Sequence, residues 1–521
     1  MCFKILIMIL ILLTQTTHRL VWMFYPSQDC VTCHKVPSIK LNDTTIVVGG
    51  FHWDGNYRRP FIIAFDTFFQ TKFYRAYTWF PITNLTNFAI TDIVKLSDSE
   101  FVAVGGASNL LSNNSYGQVV KFKFNGQIDW SVYINNINLL TGVDFDGNYI
   151  ITTGMQGNRN GNAQRLIKIN VNGNIIFHKS YSNGARSSMD LAYDRFTKSY
   201  VLLGRQNNHV IKLDTLGNVI WSYTYPSNVK EQPQSIIVDG DGNYVFVGHL
   251  GDDAGPADIQ LVKLNPNGTI IYQKRYTSNL GNSDERAYNI SLDFDGNYLI
   301  AGFVRLSINS SMPFAMKVNK NNGDLIWVRA WILAPSGYSS NKGMGILSVN
   351  PNVYLLSGYI GSGADASSGM FFLFFRDTVP NCIKDITNNF ITYNLNYTPQ
   401  TLNLSVSNIP SNALNFSLNP YSPPLIENDV GGSCATPVDI QEHFEDCYIS
   451  ITKDGLFLNI ISKEKQDIRI SIFKLNGSII YKKNFKQLLG SVNEKIKLKD
   501  GVYILKVSYK NKEKIKIIFV Q

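Results

Sequence analysis

One position recurs along this 521-residue chain and limits what it can become: a glycine that closes a short apolar run. The runs are Thr45–Gly49, Phe101–Gly105, Tyr149–Gly154, Tyr200–Gly204, Tyr244–Gly248, Tyr298–Gly302 and Tyr354–Gly358, and their glycines lie 44 to 56 residues apart. Seven copies at that period point to a propeller or another repeat array, in which each unit buries its faces against its neighbours. The clearest copy, Gln234–Thr277, holds four β-branched and aromatic runs separated by Asp241-Gly242, a longer polar stretch and Asn267-Gly268. Such dipeptides suit tight hairpins because glycine accepts positive φ without a Cβ clash. Each copy is therefore expected to be a four-stranded antiparallel sheet. Tyr149 reaches its glycine with one residue more than the other copies, which predicts a bulge there.

A second landmark keeps the same register. A turn glycine is followed four residues later by an aromatic in Gly126/Trp130, Gly173/Phe177, Gly217/Trp221, Gly268/Tyr272 and Gly323/Trp327. Even spacing places each aromatic on one face of the last strand, where stacked sheets would bury it as packing. The first copy lacks this glycine and turns through Asp66–Thr71. Three copies also carry Asp-x-Asp-Gly-Asn-Tyr, at Asp144–Tyr149, Asp239–Tyr244 and Asp293–Tyr298. Clustered carboxylates suggest calcium, but the glycine comes too early for an EF-hand loop and no closing glutamate follows. The favoured reading is a hairpin whose Asp and Asn side chains satisfy local backbone groups.

Charge is distributed unevenly. The net +9 arises in residues 447–521, which carry +10, while the other 446 residues carry −1. The main body therefore lacks the basic footprint of a nucleic-acid binder, and none is expected as a partner. Lys4 followed by the apolar run Ile5–Leu13 reads as a signal peptide over 1–19, far short of the ~20 residues a transmembrane helix needs. No transmembrane segment is expected elsewhere. Loss of Cys2 with the signal would leave Cys30, Cys33, Cys382, Cys434 and Cys447, an odd number. An oxidising compartment permits a Cys382–Cys434 bridge.

The repeats resemble the Asp-Gly-Gly-Tyr-type propeller repeats of secreted bacterial proteins, over about residues 37–377. Residues 378–446, with Pro380, Pro399, Pro410, Pro420, Pro423 and Pro424 among Asn and Ser, read as an irregular β-rich connector, with a small sandwich-like module as one form of it. From Cys447 six short Lys-flanked strands are expected in a small β-sandwich, at Leu456–Ile461, Ile468–Phe473, Ser478–Lys482, Lys495–Leu498, Gly501–Tyr509 and Lys514–Val520. This segment resembles the type A sorting domain of the Bacteroidetes type IX secretion system. The resemblance rests on Ile468–Tyr481, Leu498–Val507 with its Gly501-Val502-Tyr503, and Lys514–Gln521. It implies Sec export, passage of the outer membrane by the type IX machinery, and removal or surface anchoring of the tail. The usual Asn-Pro opening is absent.

The expected fold is all-β: a seven-bladed propeller over 20–377, the connector over 378–446 and the C-terminal domain over 447–521. Chemistry is sparse. Cys30-Val31-Thr32-Cys33-His34 matches a c-type haem attachment motif, with His34 as axial ligand; the other reading is a redox-inert cysteine pair in a loop. Leu213–Trp221 and Val318–Trp327 resemble the docking motif of quinoprotein propellers, which gives a quinohaemoprotein dehydrogenase as the alternative class. No catalytic, cofactor or metal residue is otherwise assigned, and no cofactor is expected. The leading expectation is a secreted or surface-attached propeller that binds a glycan or a protein.

Ring closure can also be read. The seventh copy has no fourth strand before Val379-Pro380, whereas Leu20–Tyr25 precedes the first copy without a partner. Leu20–Tyr25 is expected to pair with Met370–Arg376, covering an aromatic edge that would otherwise invite aggregation. Its similarity to Val219–Ser227 places Trp22 in the slot of Trp130, Trp221 and Trp327. Cys30, Cys33 and His34 would then lie in the loop leading into the first blade.

Overall fold

The computed structural model describes residues 19–24, 35–421 apart from short loop segments, and 456–520 apart from 475–477, 497–500 and 510–511. No α-helix occurs among the described residues. The chain divides into two compact units, 1–435 and 436–521.

In the first unit the strands assemble as seven antiparallel blades. Blade 5 shows the plan: Glu231–Val238, Tyr244–Gly251, Ala257–Leu264 and Ile270–Ser278 follow one another from the axis to the rim. Blades 1 to 4 begin at Ser38, Asn87, Leu139 and Ser188, blade 6 at Glu285 and blade 7 at Ser340. The buried residues lie between blades, in clusters shared by adjacent sheets such as Val245, Val247, Ala287 and Ile300. That placement explains the near-continuous apolar runs of the second and third strands, which are covered on both faces.

The recurring glycines sit where a second strand passes a bulge in the first strand. A Cβ on Gly248 would strike the Gln232 carbonyl, and one on Gly302 the Arg286 carbonyl. The bulges fall at Leu140/Gly142, Ser188/Asp190, Pro233/Ser235 and Ala287/Asn289. Blade 3 departs from expectation here. No bulge follows Tyr149; instead its hairpin is one residue shorter, closed by Asp146 N to Tyr149 O rather than by the Asp239 N to Asn243 O bond of blade 5.

Blade 7 closes as the sequence predicts. Arg19–Phe24 pairs antiparallel with Gly369–Phe374 as its outer strand. The register differs from the expected one, however. Trp327 lies opposite Lys317, whose counterpart in blade 7 is Phe374, and Phe374 faces Arg19; Trp22 lies opposite Phe371, three residues away. In blades 2 to 6 a glycine hairpin sets this register, but here the strand arrives from the other end of the chain and no turn dictates the offset.

The connector forms no module of its own within its described part. Ile383–Asp385, Phe390–Asn394, Gln400–Thr401, Ser405–Asn408, Ala413–Asn415 and Ser417–Tyr421 add a fifth strand to blades 6, 5, 4, 3, 2 and 1 in turn. The chain thus circles the rim against its own blade order. The sequence shows only short polar strands broken by prolines, and nothing local in them specifies a partner. The physical demand is the open outer edge of every blade, which a passing strand satisfies with main-chain hydrogen bonds.

In the second unit four strands form one antiparallel sheet in the order Ile479–Ile496, Leu456–Lys474, Gly501–Tyr509, Lys512–Val520. Two pairs of the expected six runs are continuous strands, with register breaks between Ser462 and Ile468.

Candidate functional site

The two ends of the ring are built differently. One end carries the hairpins that join first to second and third to outer strands. Their glycines Gly126, Gly173, Gly217, Gly268 and Gly323 all have φ between +73° and +88°. Each is packed on the preceding blade: an added Cβ would meet Phe73, Trp130, Phe177, Tyr223 and Tyr272 respectively. Trp130, Phe177 and Tyr272 of the second landmark are thus packing residues, while in blade 4 Tyr223, two residues beyond Trp221, takes that position. Trp130 and Trp221 also donate their Nε1–H to the carbonyls of Val171 and Pro266 in the next blade. Phe73 fills the same role in blade 1, where no glycine-plus-four signal marks it. The quinoprotein-like pieces Leu213–Trp221 and Val318–Trp327 are two of these hairpins.

The same end holds an inter-blade relay that the Asp-x-Asp-Gly-Asn-Tyr motif supplies. Asp239 Oδ1 accepts from the backbone N–H groups of Asp241 and Asn243, as the hairpin reading requires. Its Oδ2 faces the blade interface, 2.9 Å from Lys263 Nζ and 2.8 Å from the Tyr298 hydroxyl of blade 6. Asp194, Lys212 and Tyr244 repeat the arrangement, with 2.7 Å from Tyr244 to Asp194. In blade 3 the shorter hairpin makes Asp146 the anchor for Lys168 and Tyr200. Asp144 is released to the axis, where it accepts from Tyr193 N in blade 4. Asp293–Tyr298 has the same sequence as Asp144–Tyr149, yet there Asp293 itself caps the turn and pairs with Lys317 at 2.8 Å, so identical hexapeptides do different work. Among the described residues no group of three or more His, Cys, Asp or Glu could hold a metal ion.

The opposite end carries the loops. Connections from second to third strand there range from two residues in blade 6 to eight in blade 3, and the chain also passes between blades on this side. Around its mouth in blades 5 to 7, Tyr288 and Phe303 stack at 6.0 Å and His249 lies 6.0 Å from Tyr288. Arg286, Arg305 and Lys342 surround the Phe303 ring at 5.5–6.0 Å. Asp284 holds both arginines, at 2.8 and 2.9 Å. Beside it Glu285 is buried, with Oε1 accepting from Ser278 at 2.5 Å. Burial pushes the Glu285 carboxyl up to about 7.

The axis itself is filled at this end. Lys35, just before blade 1, places Nζ 2.7 Å from Asp190 of blade 4, and both side chains are buried. Ser357 of blade 7 donates to the Val36 carbonyl, and Gly49 N donates to Pro37 O. Burial depresses the Lys35 ammonium, but the carboxylates of Asp190 and Asp92 outweigh it and leave the pKa raised. The haem-like motif Cys30–His34 and all six cysteines lie outside the described residues, as does the Cys382–Cys434 pairing.

Residues 453–521, which include Gly501–Tyr503, fit the secretion system C-terminal sorting domain. Residues 453–521 are a type IX secretion sorting domain. The domain marks the chain for secretion or attachment at the cell surface, and it engages the type IX machinery. No curated protein is detectably similar in sequence. Similar solved structures include a protein of unknown function from Bacteroides caccae, 12% identical, covering 55% of this chain and 93% of that one with TM-score 0.36. Another from Dyadobacter fermentans is 10% identical and covers 69% and 100%, with TM-score 0.39. The Dos1 propeller is 9% identical and covers 69% and 97%, with TM-score 0.34. No helix among the described residues is long and apolar enough to cross a membrane.

Proposed function

We propose that the chain is an exported binding protein that takes a glycan or protein ligand on the loop-bearing end of its propeller. The observation that carries this reading is the contrast between the two ends. At the hairpin end, positive-φ glycines are locked against the preceding blade, so the surface repeats from blade to blade. At the other end, connections vary in length and are free to diversify on a fixed scaffold, as recognition surfaces do. Around the buried Phe303 and Arg286, the half-exposed Tyr288, Arg305 and Lys342 give that end an aromatic face and cationic donors, suited to sugar rings or acidic side chains.

Glycan and protein arrays probed with the purified full-length chain test the reading. A ligand is expected whose binding falls at least about tenfold in Arg305→Ala or Lys342→Ala, the loss of one charge-assisted contact. Binding that survives both changes but is abolished by Phe196→Ala, on the hairpin end, would overturn it. Export is tested separately: deleting 453–521 should leave a folded propeller retained in the periplasm. Undiminished surface or medium levels would count against delivery by the tail.

A further inference from the structure

The N-terminal segment meets the ring at two places. Arg19–Phe24 is the rim strand of blade 7, and Lys35–Pro37 occupies the axis. The axial contacts reach blades far apart in the circle. Val36 is fully buried in a cluster with Phe51 and Phe61 of blade 1 and Met344, Leu355 and Tyr359 of blade 7. Ala89 of blade 2 and Tyr288 of blade 6 pack against the same cluster. Lys35 crosses to Asp190 of blade 4.

The inner strands leave room for this segment and supply its counter-charge. Past each bulge, one residue lies at the same axial level: Asp92, Gly142, Asp190, Ser235, Asn289 and Gly345 in blades 2 to 7. Three of them tie one blade to the next. Asp92 Oδ2 accepts from Val143 N at 2.9 Å, Asp190 Oδ2 from Ile236 N at 2.9 Å, and Asn289 Oδ1 from Ile346 N at 3.1 Å. The two glycines are where side chains would collide. A Cβ on Gly345 would strike the Val36 carbonyl, and one on Gly142 would lie 2.7 Å from Asp190 Oδ1. Asp92, Asp190 and, two residues beyond the ring position in blade 3, Asp144 bring three carboxylates to the axis. Among the described residues Lys35 is the cation set against them.

We propose that Lys35–Pro37 is an axial strap: its ammonium is the built-in ligand of the inner-strand carboxylates, and it holds the ring shut from the centre as the Arg19–Phe24 strand does from the rim. Neighbouring blades of a propeller otherwise touch only each other, so an open seam between blades 7 and 1 meets little resistance. A strap bonded to blades 1, 4 and 7 couples the seam to the far side of the ring. The strap also closes the axis to ligands, which leaves the surrounding loops as the accessible surface.

Burial supports the charge argument. Desolvation raises Asp92 and Asp144, and Asp190 raises both further; Lys35 acts against this at Asp92, while the N–H groups of Tyr193 and Phe145 do so at Asp144. Lys35 faces Asp92 and Asp190, and Asp144 faces Asp190 on one side and the hairpin carboxylate of Asp146 on the other.

Amine footprinting of the full-length chain with an acetylating reagent is the test. Lys35 should react at least about tenfold more slowly than the half-exposed Lys95, because a buried, ion-paired amine is neither accessible nor deprotonated. In Asp190→Asn the protection should fall, while Lys263 at the hairpin end stays protected. Lys35→Met should lower the thermal midpoint at pH 7.5 by roughly 5 °C, since it leaves buried carboxylates uncompensated. Adding Asp190→Asn to Lys35→Met should recover part of that loss. Equal acetylation of Lys35 and Lys95, or an unchanged midpoint in Lys35→Met, would overturn the strap.

Discussion

The Tyr298 hydroxyl donates to the Asp239 carboxylate at 2.8 Å, joining blade 6 to the hairpin of blade 5. Lys263 completes the contact at 2.9 Å. Burial alone would raise Asp239, but Lys263, Asn243 N–H and Tyr298 together hold its pKa below the ordinary range. A depressed carboxylate contributes stability that is present above its unfolded pKa and is lost as pH falls through its folded one. Tyr298→Phe should cost about 1–2 kcal/mol at pH 7. Lys263→Met should cost about 3–5 kcal/mol, because the Asp239 charge stays buried without its partner. Denaturant melts at pH 7 and pH 3 check both, and the penalties should shrink in acid.

Glu285 behaves in the opposite sense. Its folded pKa, about 7, lies above the unfolded value, so the folded state holds an extra proton between them and stability falls as pH rises through 7. Glu285→Gln keeps an acceptor for Ser278 and removes the cost of ionisation. It should stabilise the protein by on the order of 2 kcal/mol at pH 8 and have little effect at pH 5. Thermal melts at the two pH values decide it; equal effects at both would show that burial is not what sets this group.

Two hairpin glycines separate backbone strain from packing. Gly268 has φ +81° and a Cβ there would lie 2.6 Å from Tyr223, whereas Gly147 has φ +96° and open space around it. Gly147→Ala should cost only the backbone penalty, about 1 kcal/mol. Gly268→Ala should cost clearly more, about 2–3 kcal/mol, because the ring of Tyr223 must also move. Similar values for the two in urea titrations would argue that blade packing yields easily.

The rim belt should be the least protected part of the propeller. Side chains of Gln400–Thr401 and Ser405–Asn408 are exposed throughout, so main-chain bonds hold these strands with little apolar burial. Their amides should exchange at least about a hundredfold faster than those of Tyr244–Gly251, which is buried along nearly all its length. Equal protection would mean that the belt unfolds only with the ring.

Much of this architecture was legible in the chain because it is local or periodic. The glycines of the seven runs, the Asx-Gly hairpins and the aromatic four residues beyond them depend on strand alternation and on φ, both fixed by neighbouring residues. The sorting tail is legible for the same reason, since Ile468–Tyr481 and Gly501–Tyr503 carry it in contiguous sequence. Even the closing strand could be inferred, as an unpartnered run at one end matched a missing strand at the other.

Long-range choices belong to the tertiary structure. Asp144–Tyr149 and Asp239–Tyr244 share one pattern, yet a one-residue difference in hairpin length sends Asp146 to the relay and Asp144 to the axis. The register of Arg19–Phe24 shifts Trp22 by three positions because no turn precedes it. The belt strands take partners up to 345 residues away, Tyr421 pairing with Ala76 in blade 1. Lys35 looks like any surface lysine until seven inner strands converge and make it the counter-ion of Asp190. Local sequence sets dihedral preferences and alternation, whereas partner, register and electrostatic environment arise only once the ring has closed.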